Sequence, residues 1–330
     1  MKIYYSSFIV SIFLIFSACE KEGVIQDYNL NGAIFGTTYK IIYLNGTSNY
    51  QKSIDSLFLK MNTSLSTYIP TSAISKINNG AKTLVIDDFF AEVFKKSKRI
   101  FKETDGFFDP TVGNLVNAWG FGPKNEKFNL TPAQVARQMQ FVGFDKVQYV
   151  DGHIVKTHPE IYLDFNSIAK GYGIDVVARF LESKNITSYL VEIGGEIRTN
   201  GFKDLQQPWT IKLVDPIASE FNSGYKKLNL SNKSMATSGN YRKFRVTASG
   251  RKYVHTINPK TGGAKESTLL SVSVIASMDC ADVDAYATAF MAMGLERTKI
   301  FLEKAPELEV ILLYANAQGI LEEYTNYIGN

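Results

Sequence analysis

The chain reads as an α+β protein, one domain of mixed strands and helices behind a secretory leader. Three observations carry that reading. Strand-like and helix-like segments follow one another in irregular order, which separates α+β from a repeated strand–helix–strand plan. No Pro-, Gly- or Ser-rich linker divides the chain beyond its N-terminal segment. Finally, 330 residues with 45% hydrophobic side chains are enough to bury one large core. In order, Thr38 to Leu44 has strand character, and Ser53 to Leu65 and Phe89 to Glu103 are helical by the spacing of their apolar residues. Thr131 to Gln140 is a helix opened by a Thr-Pro start. Glu160 to Leu163 resembles the end of a strand, and Ile168, Val176, Val177, Phe180 and Leu181 recur at helical spacing, so Asp164 to Ser167 form the cap. Tyr189 to Ile193, Trp209 to Val214, Val272 to Ala276 and Val310 to Tyr314 read as strands, with a helix from Asp282 to Met293 between the last two. No internal repeat or heptad pattern is visible.

At the N-terminus Lys2 precedes an apolar run from Ile9 to Phe16, followed by Ser17, Ala18 and Cys19. This is the pattern of a secretory signal, too short for a comfortable bilayer span. Small residues directly before a cysteine resemble the lipobox of bacterial lipoproteins, with Phe16 where that motif usually has Leu. An ordinary signal peptide cleaved elsewhere fits the same residues. On the lipobox reading residues 1–18 are a signal peptide, Cys19 is lipidated, residues 19–31 form a polar tether and residues 32–330 the folded domain. Several acyl chains hold such a protein at a membrane, where one alone binds marginally. The domain is then expected to face the periplasm from the inner membrane. Cys280 is the only other cysteine, which excludes a disulfide scaffold and a Cys-rich metal site. A net charge of +4 is mild, and no basic run is interleaved with aromatics, so nucleic acid is not the expected partner.

The stretch Leu163 to Tyr172 places a carboxylate, Asp164, a helix start and Lys170 within one turn. Free N–H groups at a helix start attract anions, and Lys170 adds a full positive charge, which suits a phosphorylated ligand. Gly171 and Gly173 are expected to remove side chains where such a ligand approaches. An ordinary capped helix with a surface lysine fits the same pattern. Further on, Asp284 and Thr288 stand four apart at the start of a helix and present two oxygens on one face, a donor pair suited to Mg²⁺ together with phosphate and water. Taken alone, Asp284 equally fits a partner for the helix dipole. Thr104 to Pro110, with Phe107, Phe108 and Asp109, and Trp119 to Pro123 set aromatics and glycines in irregular chain, as surfaces for large planar ligands do. A loop burying its rings in the core has the same composition. Met235 to Tyr241 and Tyr253 to Gly263 gather polar groups around His255, one of three histidines, which can orient a phosphate or deprotonate a hydroxyl. Dinucleotide-fold, Walker, serine-elbow and zinc-protease signatures are all missing.

Taken together these motifs resemble the ApbE family of flavin transferases. The resemblance runs from Phe35-Gly36-Thr37 through Ser66-Thr67-Tyr68, the Gly106 to Pro110 and Trp119 to Pro123 loops, Asp164 to Tyr172, Glu192 to Glu196, Ala236 to Tyr241, His255 to Gly262 and Asp284 to Thr288. That family usually has Met where this chain has Phe35, and Asp where it has Asn258. An ApbE-like domain implies FAD as substrate, its ring system near Tyr68 and Phe107 to Asp109, Phe35 also in contact, and its polar groups held by Asp164, Lys170, His255 and the Asn258 loop. It implies Mg²⁺ between the phosphates and Asp284, Thr288 and an oxygen of Ser167. It further implies that a threonine or serine of an acceptor flavoprotein, such as a subunit of a membrane redox complex, takes FMN as a phosphoester and AMP leaves. The bet on roles is Asp284 for the metal, Lys170 for phosphate charge and His255 for the acceptor hydroxyl. A hydrolase splitting FAD into FMN and AMP, or a flavin-binding lipoprotein without catalysis, are the rival readings.

Overall fold

The computed structural model describes residues 25–123, 130–204, 206–216, 224–239, 244–246, 252–264 and 268–329. The signal peptide, Cys19, and Asn240 and Tyr241 of the Ala236 to Tyr241 motif lie outside them. The chain begins with a hairpin of β1 (Gln26–Ile34) and β2 (Thr37–Gly46), closed by Phe35 and Gly36, both at positive φ. Helices α1 (Gln51–Leu65), α2 (Ala73–Asn78), α3 (Asp88–Glu103), α4 (Gly113–Ala118) and α5 (Pro132–Met139) follow. A small hairpin, β3 (Val147–Val150) and β4 (His153–Lys156), leads to α6 (Ala169–Glu182). Next come β5 (Tyr189–Ile193), β6 (Glu196–Asn200), β7 (Trp209–Val214), β8 (Gly224–Leu230) and β9 (Ser234–Gly239). The chain continues with β10 (Phe244–Val246), β11 (Lys252–Val254), β12 (Leu269–Ala276), α7 (Cys280–Met293), α8 (Leu295–Leu302), β13 (Glu309–Ala315) and β14 (Leu321–Thr325).

Eight strands make one antiparallel sheet in the order β1-β2-β5-β6-β9-β12-β13-β14. Helices pack the larger core onto one face, where Val191, Val272, Val274 and Leu312 meet Phe58, Phe90, Val177 and Phe290. The β7–β8 hairpin covers the other face, with Trp209, Ile211 and Leu228 against Leu190, Ile275, Ile311 and Leu313. Burial on both faces explains why Val310 to Leu313 is a continuous apolar run and not an alternating one. The α+β reading of one mixed domain therefore holds.

Helix α7 is buried on nearly every side, rich in Ala, Val, Phe and Met, with Asp284 and Thr288 as polar residues one turn apart. A smaller cluster of Leu115, Trp119, Val142, Ile257 and Ala264 ties α4 to the segment after β11. Helix α5 opens with a full capping box, the Thr131 hydroxyl accepting from the Gln134 N–H and the Gln134 side chain from the Thr131 N–H.

Three sequence expectations change. Residues 26–31, read as tether, belong to β1, whose polar side chains lie on an edge strand. Glu160 to Leu163 is not a strand: Tyr162 makes a single bridge to Val112, and the Leu163 N–H and C=O are both taken by the Asn78 side chain at 2.8 Å. Nor do Asp164 to Ser167 cap α6. Its N-cap is Ile168, without a side-chain hydrogen bond, and the Asp164 carboxylate accepts instead from the Asn166 N–H at 2.8 Å.

Candidate functional site

A cavity of about 1290 Å³ opens where the β1–β2 turn, the loop after α1, the start of α6, the β5–β6 turn and the middle of α7 converge. Pockets for drug-sized ligands run to roughly 1,000 Å³, so this one has room for a dinucleotide. Its wall holds Phe35, Tyr68, Phe107, Phe108, Asp109, Asp164, Ser167, Lys170, His255, Asp284 and Thr288. Every one of these was marked in the sequence, and residues far apart in the chain meet here.

At the polar end Lys170 donates to Glu196 Oε1. Glu196 is buried, and its other oxygen, Oε2, has no hydrogen-bond partner among the described residues. Burial raises the Glu196 carboxyl to about 7; the Lys170 ammonium restrains the rise and nearby Asp284 adds to it. Asp284 is likewise raised by burial, against the pull of Lys170 and the Gly171 N–H. Burial alone depresses the Lys170 ammonium, but Glu196 and Asp284 outweigh it and its pKa lies above the ordinary lysine value. Two carboxylates thus face one ammonium in a poorly solvated cleft, an arrangement that favours a further cation. Asp284 Oδ2 accepts from the Gly171 N–H at 3.1 Å, while Oδ1 has no hydrogen bond among the described residues. One turn on, the Thr288 hydroxyl lies 3.3 Å from that of Ser238. Among the described residues no three His, Cys, Asp or Glu side chains cluster as a metal cage.

Gly171 and Gly173 have a different task from the one their position implied. A Cβ on Gly171 would lie 2.4 Å from the Cys280 carbonyl oxygen, and one on Gly173 2.8 Å from the Phe35 ring. Both glycines therefore make room for packing neighbours and not for a ligand.

The aromatic end combines exposed and buried rings. Tyr68 is 60% exposed on the rim, whereas Phe107 and Phe108 are buried in the main core while also lining the cavity. The Arg297 guanidinium sits 4.8 Å from the Phe107 ring centre. Asp109 accepts from the Thr111 N–H at 2.8 Å and hydroxyl at 2.6 Å, and burial lifts it to about 6 against those bonds. Asp164 is also raised by burial, opposed by Asn166. His255 is half-buried in the wall beside Thr256. Asn258 is not part of the wall: its amide donates to the Ala292 carbonyl at 3.1 Å and its Oδ1 accepts from Lys260 N–H at 2.9 Å. That turn is held from outside by Trp119 Nε1, which donates to the Gly262 carbonyl at 2.9 Å.

Glu196 received no role in the sequence reading, although its motif was noted. Its signal was a carboxylate directly after Gly194-Gly195, at the turn of a tight hairpin where a side chain projects beside the cavity. Its partnership with Lys170 spans 26 positions and has no sequence signature.

An eight-stranded antiparallel sheet with a dinucleotide-sized cleft reached by both its helices and the β7 strand, lined by a lysine at one helix start and an Asp–Thr pair on another, defines an α+β domain suited to a phosphorylated ligand. The chain belongs to the ApbE family, whose sequence model matches residues 35–312. It is 34% identical over 326 residues to the FAD:protein FMN transferase of Haemophilus influenzae, covering 94% of this chain and 93% of that one. With the FAD:protein FMN transferase of Vibrio cholerae identity is 33% over 317 residues, again 94% and 93%. Among solved structures, the flavin transferase ApbE from Vibrio cholerae superposes with a TM-score of 0.80 at 32% identity, over 91% of this chain and 97% of that one. The apo flavinyl transferase ApbE of Pseudomonas stutzeri gives 0.81 at 27% identity, over 92% and 96%.

Proposed function

We propose that this protein transfers the FMN half of FAD to a threonine or serine hydroxyl of an acceptor protein, and that the reaction requires Mg²⁺. One observation carries the reading: Lys170, at the start of α6, meets Asp284 and Thr288 of α7 in a single cleft large enough for a dinucleotide. Relatives bearing that activity in their names, at a third identity over nearly the whole chain, support it.

The donor set fits magnesium. Asp284, Thr288 and a Ser167 oxygen would serve as hard ligands, leaving the other positions of the ion to phosphate and water, as Mg²⁺ prefers. When bound, the ion supplies charge neutralisation at the pyrophosphate. Lys170 and the N–H groups at the start of α6 add positive potential at the same phosphates. Tyr68, Phe35 and Phe107 border the flavin ring, and Asp109 and Asp164 lie alongside. The acceptor oxygen forms a bond to the FMN phosphorus while the P–O bond to AMP breaks. His255 takes the hydroxyl proton, and AMP departs with the bridging oxygen. Positioning and charge do most of this work, as in other phosphoryl transfers.

We further propose that Cys19 carries lipid and holds the domain at the periplasmic face of the inner membrane, within reach of exported acceptor flavoproteins. No helix among the described residues is long and apolar enough to cross a membrane. A Cys19→Ser chain that stayed in the membrane fraction would overturn the anchor. The activity is tested by incubating the protein with FAD, Mg²⁺ and a candidate acceptor. Intact mass should show the acceptor heavier by one esterified FMN, with AMP released in equal amount. Free FMN with an unmodified acceptor would instead establish the hydrolase.

A further inference from the structure

We infer that Asp175 is a positioning residue for the cation-binding turn of α7, fixing Asp284 and Thr288 against Lys170; this rests on the reading that those two residues hold a divalent cation. The first N–H groups of a helix have no partner within it and must find one elsewhere when buried. For α7 the natural supplier is its N-cap, Asp279, but that side chain makes no capping bond. Its carboxylate is turned to Lys96 and Arg198, each at 2.7 Å. Asp175, 105 positions upstream and fully buried, does the capping: it accepts from Cys280 N–H at 2.8 Å and Ala281 N–H at 2.9 Å. Arg198 donates to it at 2.7 Å and so fixes the carboxylate while offsetting its charge.

The arrangement is reciprocal. Asp284 of α7 accepts from Gly171 N–H in the first turn of α6, and Asp175 of α6 accepts from the first turn of α7. Gly171 and Asp175 are one turn apart on their helix, as are Cys280 and Asp284 on theirs. The two helices therefore meet through their N-terminal turns, each supplying a carboxylate that caps the other. Lys170 adjoins one rung of this ladder and Thr288 continues the other strand of it by a turn. The spacing between the phosphate-facing ammonium and the proposed cation ligands is thus set by Asp175, which does not line the cavity itself.

The test titrates Mg²⁺ into full-length, FAD-loaded protein by calorimetry, with thermal melting to confirm folding. Asp175→Asn puts an NH₂ group where one oxygen accepted, and the Mg²⁺ dissociation constant should rise about 10- to 100-fold, the usual effect of losing an outer-shell partner. FAD affinity without Mg²⁺ should stay unchanged. Asp175→Glu keeps the charge but lengthens the arm by a methylene, so it should bind Mg²⁺ as poorly. A folded Asp175→Glu protein with wild-type Mg²⁺ affinity would show that charge alone matters and would overturn the positioning role. Wild-type protein that binds no Mg²⁺ would remove the cation reading and this role with it, whereas equal binding by wild type and both variants removes only the role of Asp175. Should neither variant fold, amide exchange on metal-free wild type decides: Cys280 and Ala281 N–H should exchange as slowly as the core, and exchange at the rate of an uncapped helix end contradicts the proposal.

Discussion

Gly171→Ala sets two effects of known size against each other. By propensity alone, alanine in a helix is worth about 1 kcal/mol over glycine, and the variant should be more stable. The structure predicts the reverse. The new Cβ would lie 2.4 Å from Cys280 O, 2.6 Å from Cys280 C and 2.7 Å from Ala281 N, all backbone atoms of α7 that no rotamer change can move. Ordinary contact begins at 3.4 Å, so α7 must withdraw by about 1 Å. Forcing an extra methyl into such packing costs about 1–3 kcal/mol. The same shift stretches the Gly171 N–H bond to Asp284, already 3.1 Å, and loss of a bond to a charged group costs about 1.5–3 kcal/mol. The net expectation is a destabilisation of about 2–4 kcal/mol, a fall in Tm of roughly 3–6 °C for a domain of this size. Differential scanning calorimetry of the two proteins measures it directly. A variant melting at or above the wild type would mean that α6 and α7 are not in backbone contact at Gly171, and the capping ladder between them would fall with it.

The same structure makes further predictions. Asp284→Ala should abolish Mg²⁺-dependent FMN transfer, and undiminished attachment at low Mg²⁺ would count against Asp284 as a ligand. Asp109 is raised from the usual carboxylate range to about 6 by burial, so the neutral form is favoured in the fold. Its contribution is full below about pH 4 and is lost as pH rises through about 6, a change on the order of 3 kcal/mol. Denaturant melts of Asp109→Asn from pH 4 to 7 should therefore give a flatter profile than wild type; parallel profiles would show that Asp109 titrates normally. Trp119→Phe removes the donor to the Gly262 carbonyl and should cost about 1–3 kcal/mol. Because Trp119 holds the turn after His255, KM for FAD should rise as well, and an unchanged KM would detach that turn from the site.

Much of the architecture was readable in the chain because it rests on local patterns. The strands at Tyr189 to Ile193 and Trp209 to Val214, and the helices at α1, α3 and α5, lie where periodicity and capping residues put them. Misreadings fell where a distant group replaced a local one. Leu163 looked like a strand end because Ile161, Tyr162 and Leu163 form an apolar run, yet its partner is the Asn78 side chain and no neighbouring strand. Asp164 looked like the cap of α6, whereas the carboxylate on its first turn comes from Asp284. The β1 residues looked like tether because an edge strand exposed to solvent keeps the polarity of a linker.

By itself the sequence determined the kind of fold, the places where chemistry-bearing residues occur and the family resemblance, since all three are written in composition, spacing and short motifs. Only the tertiary structure decided which of those residues share one cleft, that Glu196 is the partner of Lys170, that Asn258 serves the turn and not the wall, and that Asp175 caps a helix begun more than a hundred residues later. The physical reason is common to them: a buried charge or N–H group must be satisfied by whatever the fold brings within about 3 Å, and chain distance carries no information about that.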